Sequence, residues 1–457
     1  MIGDWTLSTL AQALNASHIG PDVECLRVCT DSRQIQSGDL FVALRGPSFD
    51  GHAFIAEVRD KGAVAAVTDH QIDDALPQLI VEDTLKALGQ AGALNRSRFS
   101  GQVFAVTGSS GKTTVKEMLA SMLAVRGRVL ATRGNLNNLI GAPLTLLSLT
   151  DQHDSAVVEL GASEVGEIAA TVVMTRPAVA ILNNALGAHI EGFGSLEAIV
   201  RAKGEIFDAL PADGAGIVNL DDPHAAVWLK KLQGLNRRAV TFGVNNPAAD
   251  MSAENLHQEA SGNFSFDLCW QQQRLNITLS LLGRHNVANA TAASAAWVAA
   301  GLPFEQIKEG LEACAAVNGR MKPIRLASGA LLIDDSYNAN PDAMRAAIDL
   351  LASRPGKRIL IAGDMAELGP DAEQLHAATG EYAAAAGLDL VLTTGKLTRD
   401  LQRAANAGGA AAEHLESCEE IVKRLKTELN DSVTLLVKGS RSAGMERVVN
   451  ALKDGEN

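Results

Sequence analysis

QVFAVTGSSGKTTVKEML, residues 102–119, joins an apolar run to a glycine-rich loop and then to a helical pattern. The loop is a shortened variant of the phosphate-binding pattern GxxxxGK[ST]. Glycines let successive backbone amides turn towards phosphate oxygens, Lys112 supplies a positive charge, and the Thr113 hydroxyl can bind Mg²⁺. A strand before the loop and a helix after it favour a nucleotide site over a plain glycine turn with a solvated lysine. The predicted phosphate loop comprises Thr107, Gly108, Ser109, Ser110, Gly111, Lys112, Thr113 and Thr114.

Composition predicts a globular α/β protein with several domains. The 457 residues exceed what one hydrophobic core usually organises, and short β-branched runs alternate with alanine-rich helical stretches. The formal net charge of −13 argues against broad binding to nucleic acid or to anionic membranes. Anionic substrates must therefore meet local positive groups. No apolar run approaches the roughly 18 to 20 residues that span a bilayer, so no membrane insertion is expected.

The cysteines and the start of the chain indicate a cytoplasmic protein. The five cysteines are an odd number without the paired clusters of a zinc site, which favours reduced thiols. No basic-then-apolar signal segment opens the sequence. We expect a monomer. The cysteines are Cys25, Cys29, Cys269, Cys314 and Cys418.

The order of strand and helix signals predicts three domains, at residues 1–82, 83–317 and 318–457. The central domain should hold a parallel sheet with helices on both faces, and the third should be a second α/β unit. Two segments of the central domain have helical spacing, its first segment (residues 83–98) and NVANATAASAAWVAAG (286–301). The strands predicted along the chain are DLFVAL (39–44), AVAAVT (63–68), SAVVEL (155–160), AVAILNN (178–184), ALLIDDS (330–336), RILIAGD (358–364), LVLTTG (390–395) and TLLVKGS (434–440).

Three further residues could carry chemistry. Glu159 ends the strand SAVVEL, where a carboxylate can bind the magnesium of a nucleotide. A strand-end glutamate facing water explains it equally well. His189 follows AVAILNN by a short loop, and Lys203 lies in a helical pattern. Such residues usually lie on the surface.

Several motifs together resemble the Mur ligases, the ATP-dependent amino-acid ligases of peptidoglycan precursor synthesis. The resemblance covers nearly the whole chain. The motifs are TGSSGKTT, VELGAS, NNALGAHIEGFGS, RAKGEIF, GRHNVANA, GRMKPIRL and DDSYNANPDAM. Within the family, other segments are similar to members that add D-alanyl-D-alanine to UDP-N-acetylmuramoyl-tripeptide. These segments are DSRQIQSGDLFVALRGPSFDGHAF, NLNNLIGAPLTLL and KGSRSAGME. The DNPR signature expected of members that add diaminopimelate does not occur.

The resemblance implies a function in cell-wall biogenesis, and through it in cell shape and division. It implies a small α/β N-terminal domain for the UDP-linked substrate, a central ATP-binding domain and a Rossmann-like C-terminal domain for the dipeptide. ATP would phosphorylate the tripeptide carboxylate, and the resulting acyl phosphate would react with the amine of the dipeptide. A relative that adds the third residue, a folylpolyglutamate synthetase-like ligase and a non-enzymatic nucleotide switch are the alternatives.

The resemblance also implies two magnesium ions. Thr113 and Glu159 would hold the ion that bridges the β and γ phosphates. His189 and Lys203 would hold the second, with Lys203 converted by CO₂ to a carbamate. The modification turns a cation into an anionic oxygen ligand.

Other roles follow from the same resemblance. Lys112, His189, Lys203 and Arg320 would be catalytic. Outside the phosphate loop the nucleotide would contact Asn286, Asn289, Arg320, Asp335 and Asn338. The other substrates would contact Ser32, Arg33, Asn135, Asn137, Asn138, Asn340, Lys438, Ser440 and Arg441. The DDSYNANP segment is equally typical of a turn, because Asn and Asp before Pro favour turns.

Overall fold

The computed structural model describes residues 1–187 and 190–454. Over these ranges the chain forms sheets of five, nine and six strands, each built from a separate stretch of sequence, and one two-stranded hairpin. The three-domain α/β architecture predicted from the sequence is confirmed. The exact boundaries at 82/83 and 317/318 stay predictions.

The first sheet forms a small α/β unit. Its strands and the hairpin are β1 (Ser17–Ile19), β2 (Arg27–Cys29), β3 (Asp39–Val42), β4 (Arg45–Gly46), β5 (Phe49–Asp50), β6 (Ala65–Thr68) and β7 (Gln78–Ile80). Its helices are α1 (Leu7–Leu14) and α2 (Ile55–Asp60). The sheet order is β1-β7-β6-β3-β2, parallel except for β1. Helix α3 (Thr84–Ser97) follows, and the Asp83 side chain caps its first turn.

The central sheet carries the glycine loop. Its strands are β8 (Gln102–Thr107), β9 (Val129–Ala131), β10 (Ser155–Glu159), β11 (Val179–Leu182), β12 (Ala215–Asn219), β13 (Arg238–Gly243), β14 (Met251–Gln258), β15 (Asn263–Trp270) and β16 (Gln273–Leu282). Its helices are α4 (Lys112–Ala124), α5 (Gly141–Leu147), α6 (Glu167–Thr175), α7 (Ile190–Phe193), α8 (Leu196–Gly204), α9 (Ala225–Gly234), α10 (His285–Ala299) and α11 (Ile307–Ala313).

The strand order of this sheet is β16-β15-β14-β13-β12-β11-β8-β10-β9. Strands β8 to β14 are parallel, whereas β14, β15 and β16 pair antiparallel. Buried side chains of α4, α10 and α11 cover one face, and those of α5, α6, α8 and α9 cover the other. The helices on both faces are as predicted, but the antiparallel extension was not predicted.

The third sheet has the order β17-β18-β22-β19-β20-β21 and is parallel except for β17. Its strands are β17 (Lys322–Arg325), β18 (Leu331–Asp335), β19 (Lys357–Gly363), β20 (Leu390–Thr394), β21 (Ala412–His414) and β22 (Val433–Lys438). Its helices are α12 (Pro341–Ala352), α13 (Ala372–Ala385), α14 (Thr398–Ala407), α15 (Cys418–Leu425) and α16 (Glu446–Asp454). Apolar clusters lie on both faces, as expected for a Rossmann-like unit.

The turn between β14 and β15 reaches across to the third domain. The Gln258 side-chain amide donates to the Ser353 hydroxyl (3.0 Å), and the Arg354 guanidinium donates to the Ala260 carbonyl (3.1 Å). The chain itself crosses between the two domains near Gly319. Besides the cleft described below, the two domains are therefore joined by the chain itself and by the contacts of this turn.

No helix in residues 1–187 and 190–454 combines the length and the apolar character needed to cross a bilayer.

Candidate active site

The site begins where three parallel strands of the central sheet end together. In the register of the sheet Glu159, at the end of β10, lies beside Val106 of β8, and Leu182 of β11 lies beside Thr107. In the strand order, β10 and β9 lie on one side of β8 and β11 lies on the other, so the direction in which strands are added reverses at β8. Ligands of open α/β sheets bind outside the carboxyl ends of the strands at such a reversal. The glycine loop lies at this point.

The backbone of the phosphate loop requires glycine at position 111, directly before α4. Gly111 has φ +79°, and a Cβ there would lie 2.4 Å from the Asn183 Nδ2 and the Asn289 Oδ1. Lys112 begins α4, and its Nζ donates to the Gly108 carbonyl at 2.7 Å. Burial lowers the pKa of Lys112, although Glu159 acts in the opposite direction. A phosphate bound beside this amine would favour its protonated form and so raise its pKa.

Two asparagines directly after β11 fix the loop. The Asn184 side chain accepts from the Ser110 amide (2.9 Å) and donates to the Ser110 carbonyl (3.2 Å). Asn183 donates to the same carbonyl and to the Asn289 Oδ1, both at 3.0 Å. The sequence interpretation gave these asparagines no role. The signal was available, because they follow a buried strand just as Glu159 does.

Oxygen atoms suited to a hard cation gather around Glu159, which is 2% exposed. The Thr113 hydroxyl donates to one oxygen of its carboxylate at 2.9 Å, and the Asn137 side-chain amide donates to the other at 2.8 Å. Asn135 and Asn138 line the same cavity. Glu159 is therefore a buried carboxylate that contacts two other predicted site residues, and the alternative of a water-facing glutamate does not apply.

Lys203 lies in α8 and is 2% exposed, so it is not the surface residue that helical lysines usually are. Its Nζ lies 3.4 Å from the Ala162 carbonyl and 5.1 Å from the centre of the Phe193 ring. Burial and the nearby Lys112 lower its pKa to about 7, against the effect of Glu167 and Glu205. His189, its predicted partner, lies outside the described residues.

The third domain supplies the opposite wall of a cavity of about 500 Å³. Five of the residues predicted from the sequence line this wall, and they are Arg320, Asp335, Asn338, Asn340 and Lys438. The Arg320 guanidinium lies 4.4 Å from the centre of the Tyr337 ring. Burial also lowers the pKa of His285, at the central-domain side. Cleft residues that sequence reasoning missed are Glu167, Asn183, Asn184, Asn219, His285 and Tyr337.

Two asparagines of α10 that were predicted to contact the nucleotide line the cavity and are hydrogen-bonded towards the loop. Asn286 accepts from the Asn289 side-chain amide (2.9 Å) and donates to the Leu282 carbonyl (2.7 Å). Since Asn289 also accepts from Asn183, α10 is connected to the phosphate loop.

Other predicted residues do not line this cavity. Thr107 is fully buried below the loop, with its hydroxyl donating to the Leu160 carbonyl at 2.7 Å. Arg33 is exposed in the first domain and pairs with Asp31 (2.8 Å). Within the part of the chain that the structure describes, the other predicted residues outside the cavity lining are Ser32, Gly108, Lys203, Ser440 and Arg441.

One cluster in the first domain has metal-ligand spacing among the residues that the structure describes. His52, Asp69 and His70 offer ligand atoms within 4.8 Å of one another. Both ring nitrogens of His52 already have partners, the Asp50 carboxylate (2.6 Å) and the Asp69 amide (3.1 Å). The Arg45 guanidinium lies 3.1 Å from Asp69. The cluster is therefore a satisfied hydrogen-bond network.

Family models match three stretches of the chain. Residues 27–94 match the Mur ligase family catalytic domain, residues 106–297 the Mur ligase middle domain, and residues 319–441 the Mur ligase glutamate ligase domain. These ranges together account for most of the sequence.

Individual relatives match from end to end. The UDP-N-acetylmuramoyl-tripeptide--D-alanyl-D-alanine ligase of Escherichia coli is 46% identical over 98% of both chains. The chain has a TM-score of 0.92 with a crystal structure of MurF from Acinetobacter baumannii, at 37% identity over 99% of both chains. The MurF ligase of Thermotoga maritima in complex with ADP gives 0.83 at 29% identity, over 94% of this chain and 97% of that one. The cleft geometry, the family models and these relatives agree that the chain belongs to the Mur ligase family.

Proposed function

We propose that the chain joins the amine of D-alanyl-D-alanine to the terminal carboxylate of UDP-N-acetylmuramoyl-tripeptide, with ATP converted to ADP and phosphate. The observation that carries this proposal is one cleft in which a phosphate loop, a buried Glu159 and a third-domain Arg320 face one another. The full-length relatives named for this reaction support the choice of substrates. The product would be the UDP-linked pentapeptide of peptidoglycan synthesis.

The chemistry requires an activated carboxylate, because oxide is a very poor leaving group. A carboxylate oxygen attacks the γ phosphorus of ATP, the bond to the β-phosphate oxygen breaks, and ADP leaves. The amine nitrogen then attacks the carbonyl carbon of the acyl phosphate. Phosphate departs with the electrons of the broken C–O bond, and the amine loses a proton. Such a sequence depends mainly on positioning and on neutralising charge.

The residues of the cleft fit these demands. Lys112 and Arg320 bring positive charge to the phosphates from opposite walls of the cavity. Asn183 and Asn184 hold the Ser110 peptide, so the loop needs little reorganisation when phosphate binds. Both features lower the barrier to phosphoryl transfer without any covalent step on the protein.

A magnesium site fits the oxygen atoms beside the loop. The Glu159 carboxylate and the Thr113 hydroxyl are the hard donors that Mg²⁺ prefers, and we propose that they hold it. When bound, the ion supplies charge neutralisation for the phosphate oxygens. The chain itself contributes the fixed orientation of Glu159, through hydrogen bonds from Thr113 and Asn137.

The second proposed metal position uses Lys203 as a carbamate together with His189. A pKa of about 7 leaves roughly half of the Lys203 amine neutral at neutral pH, whereas an ordinary lysine is almost entirely protonated. Because only the neutral amine reacts with CO₂, the buried position of Lys203 favours the modification. The resulting anionic oxygens are suited to Mg²⁺.

The remaining site residues divide between the substrates. We propose that Asn286, Asn289, Asp335 and Asn338 bind the nucleotide. We assign the UDP-linked substrate to Ser32, Arg33, Asn135, Asn137 and Asn138, and the dipeptide side to Asn340, Ser440 and Arg441. We also propose that the chain acts in the cytoplasm, since its substrates ATP and the UDP-linked precursor are cytoplasmic metabolites. We propose separately that it acts as a monomer.

The deciding experiment measures phosphate release with Mg²⁺ and ATP while the UDP-linked tripeptide and the dipeptide are added separately and then together. We expect release only with both, and a product heavier by the dipeptide mass less water. Lys112→Ala is the control that should fold and remain inactive. Release that ignores both acceptors, or ligation of a different amino acid, would contradict the proposed substrates.

A further inference from the structure

We propose that Lys438 is a positioning residue for the nucleotide half of the cleft, acting through Asp335. This indirect role replaces the direct substrate contact that the family resemblance implies for Lys438. The proposal rests on the proposed function only for the identity of the dipeptide. Lys438 ends β22 beside Asp335 of β18 in the sheet register, and both residues are buried. A buried ammonium and a buried carboxylate thus end neighbouring strands.

Although Lys438 lines the cavity, its ammonium group makes hydrogen bonds to the protein itself. Its Nζ donates to the Asp335 Oδ2 at 2.5 Å and to the Asn338 carbonyl at 2.9 Å. Two of its three N–H groups therefore hold the start of the loop that follows β18, and its charge is balanced by Asp335. Arg441, only three residues later, exposes 65% of its side chain. A carboxylate arriving from solvent would find Arg441 more available than Lys438.

Asp335 passes this constraint to the segment that carries Arg320. Its Oδ1 accepts from the Met321 amide at 3.2 Å. On the other side of Arg320, the Gly319 amide donates to Asp334 at 2.9 Å. Arg320 is thus held between two backbone contacts to the end of β18, and one of them belongs to the partner of Lys438.

Loss of the ammonium would leave the Asp335 carboxylate buried without a charged partner, which proteins tolerate poorly. The carboxylate would take up a proton or move towards water. In either case its contact with the Met321 amide weakens, and the Asn338 carbonyl loses its donor. The expected defect is therefore in the placement of Arg320 and Asn338, on the nucleotide side of the cavity.

The test measures ADP affinity by calorimetry and the KM values for ATP and for D-alanyl-D-alanine, on the full chain. Lys438→Met should weaken ADP binding and raise the KM for ATP at least tenfold, with the KM for the dipeptide changed by less than twofold. Lys438→Arg keeps the charge and should recover most of the ADP affinity. A tenfold rise in the dipeptide KM with unchanged ADP affinity would overturn the proposal.

The double variant Asp335→Asn/Lys438→Met guards against failure of the single variant to fold, since it removes both buried charges. The single variants for comparison are Lys438→Met and Asp335→Asn. If Lys438 acts through Asp335, the double variant should bind ADP no more than twofold more weakly than the weaker binder of these two. Fully additive losses, or a folded double variant with wild-type ADP affinity, would contradict this route. The ADP measurements need no acceptor, so a wild-type chain that binds ADP without joining the dipeptide would refute only the proposed function.

Discussion

Gly111 shows how closely a single position can be constrained by its neighbours. Its φ of +79° is costly for any residue with a side chain, and a Cβ would meet two asparagine side chains at 2.4 Å. We therefore expect Gly111→Ala to reduce ATP turnover at least a hundredfold while the protein stays folded. Gly301→Ala is the matched control, because Gly301 has φ +76° with open space around it. Turnover within twofold of wild type for Gly111→Ala would refute the expectation.

Lys203 allows a chemical test of the carbamate. Lys203→Ala should lose at least a hundredfold in ligation, because the proposed metal-ligand oxygen is removed. Short carboxylic acids such as acetate should restore part of the rate by occupying the vacated volume with an anionic oxygen. Full activity of Lys203→Ala without added acid would exclude a metal-ligand role for this residue.

The depressed pKa of Lys203 also predicts how stability changes with pH in CO₂-free buffer. The folded pKa of about 7 lies below the ordinary value of 10.5, so between these values the unfolded state binds more protons. The free energy of unfolding should therefore rise with pH from about 7 to about 10, by at most about 1.4 kcal/mol per pH unit. Denaturant titrations at several pH values give the free energy of unfolding of wild type and of Lys203→Met. The difference between the two proteins should rise with pH by this slope. Parallel curves would show that the amine titrates normally.

A residue type and its strand position together could mark a candidate site residue, although the role of each candidate stays a prediction. Glu159 was identified because a carboxylate at a strand end is a common metal ligand. Asn183 and Asn184 occupy the equivalent position on β11, but an amide has no charge to mark it as functional. Lys203 could not be separated from a surface lysine by periodicity, since its burial depends on how α8 packs.

At the level of elements, most strands buried on both faces were predicted, whereas β12 (Ala215–Asn219), which is buried between β11 and β13, was missed together with the half-exposed strands. The runs at β10, β11, β18 and β19 each contain at least three consecutive apolar residues, as is typical of parallel strands between helix layers. Strands β15 and β16 alternate instead, in NFSFDLCW (263–270) and RLNITLSL (274–281). This period of two is the signal of an antiparallel pair with one solvated face.

Helix packing in the third domain depends on Gly380 of α13. A Cβ at this position would lie 2.1 Å from the Leu401 carbonyl oxygen in α14, so the helices must move apart to accept it. We expect Gly380→Ala to destabilise the third domain by about 1–3 kcal/mol or more. Gly234→Ala, at the exposed end of α9, has nothing within 4 Å and should change stability by less than about 1 kcal/mol. Equal melting temperatures for the two variants would contradict this packing argument.

For the whole molecule, the cleft between the central and third domains predicts closure on ligand binding. Lys112 and Arg320 line the cavity from different domains, so phosphates bound between them would attract both walls. Closure would also exclude water from the acyl phosphate. Small-angle scattering with a non-hydrolysable ATP analogue and the UDP-linked tripeptide should show a smaller radius of gyration than the free chain. An unchanged radius with both ligands bound would argue against domain rotation.

The contact between the β14–β15 turn and α12 restricts the form that such a movement can take. A rigid body joined to another at one point can swivel in any direction, but a body held at two separated points can only turn about the line through them. The crossing near Gly319 is one such point, and the pairing of Ala260 with Arg354 is the other. While both contacts hold, we expect the third domain to rotate about the line that joins them, so that the cavity opens and closes about a single axis.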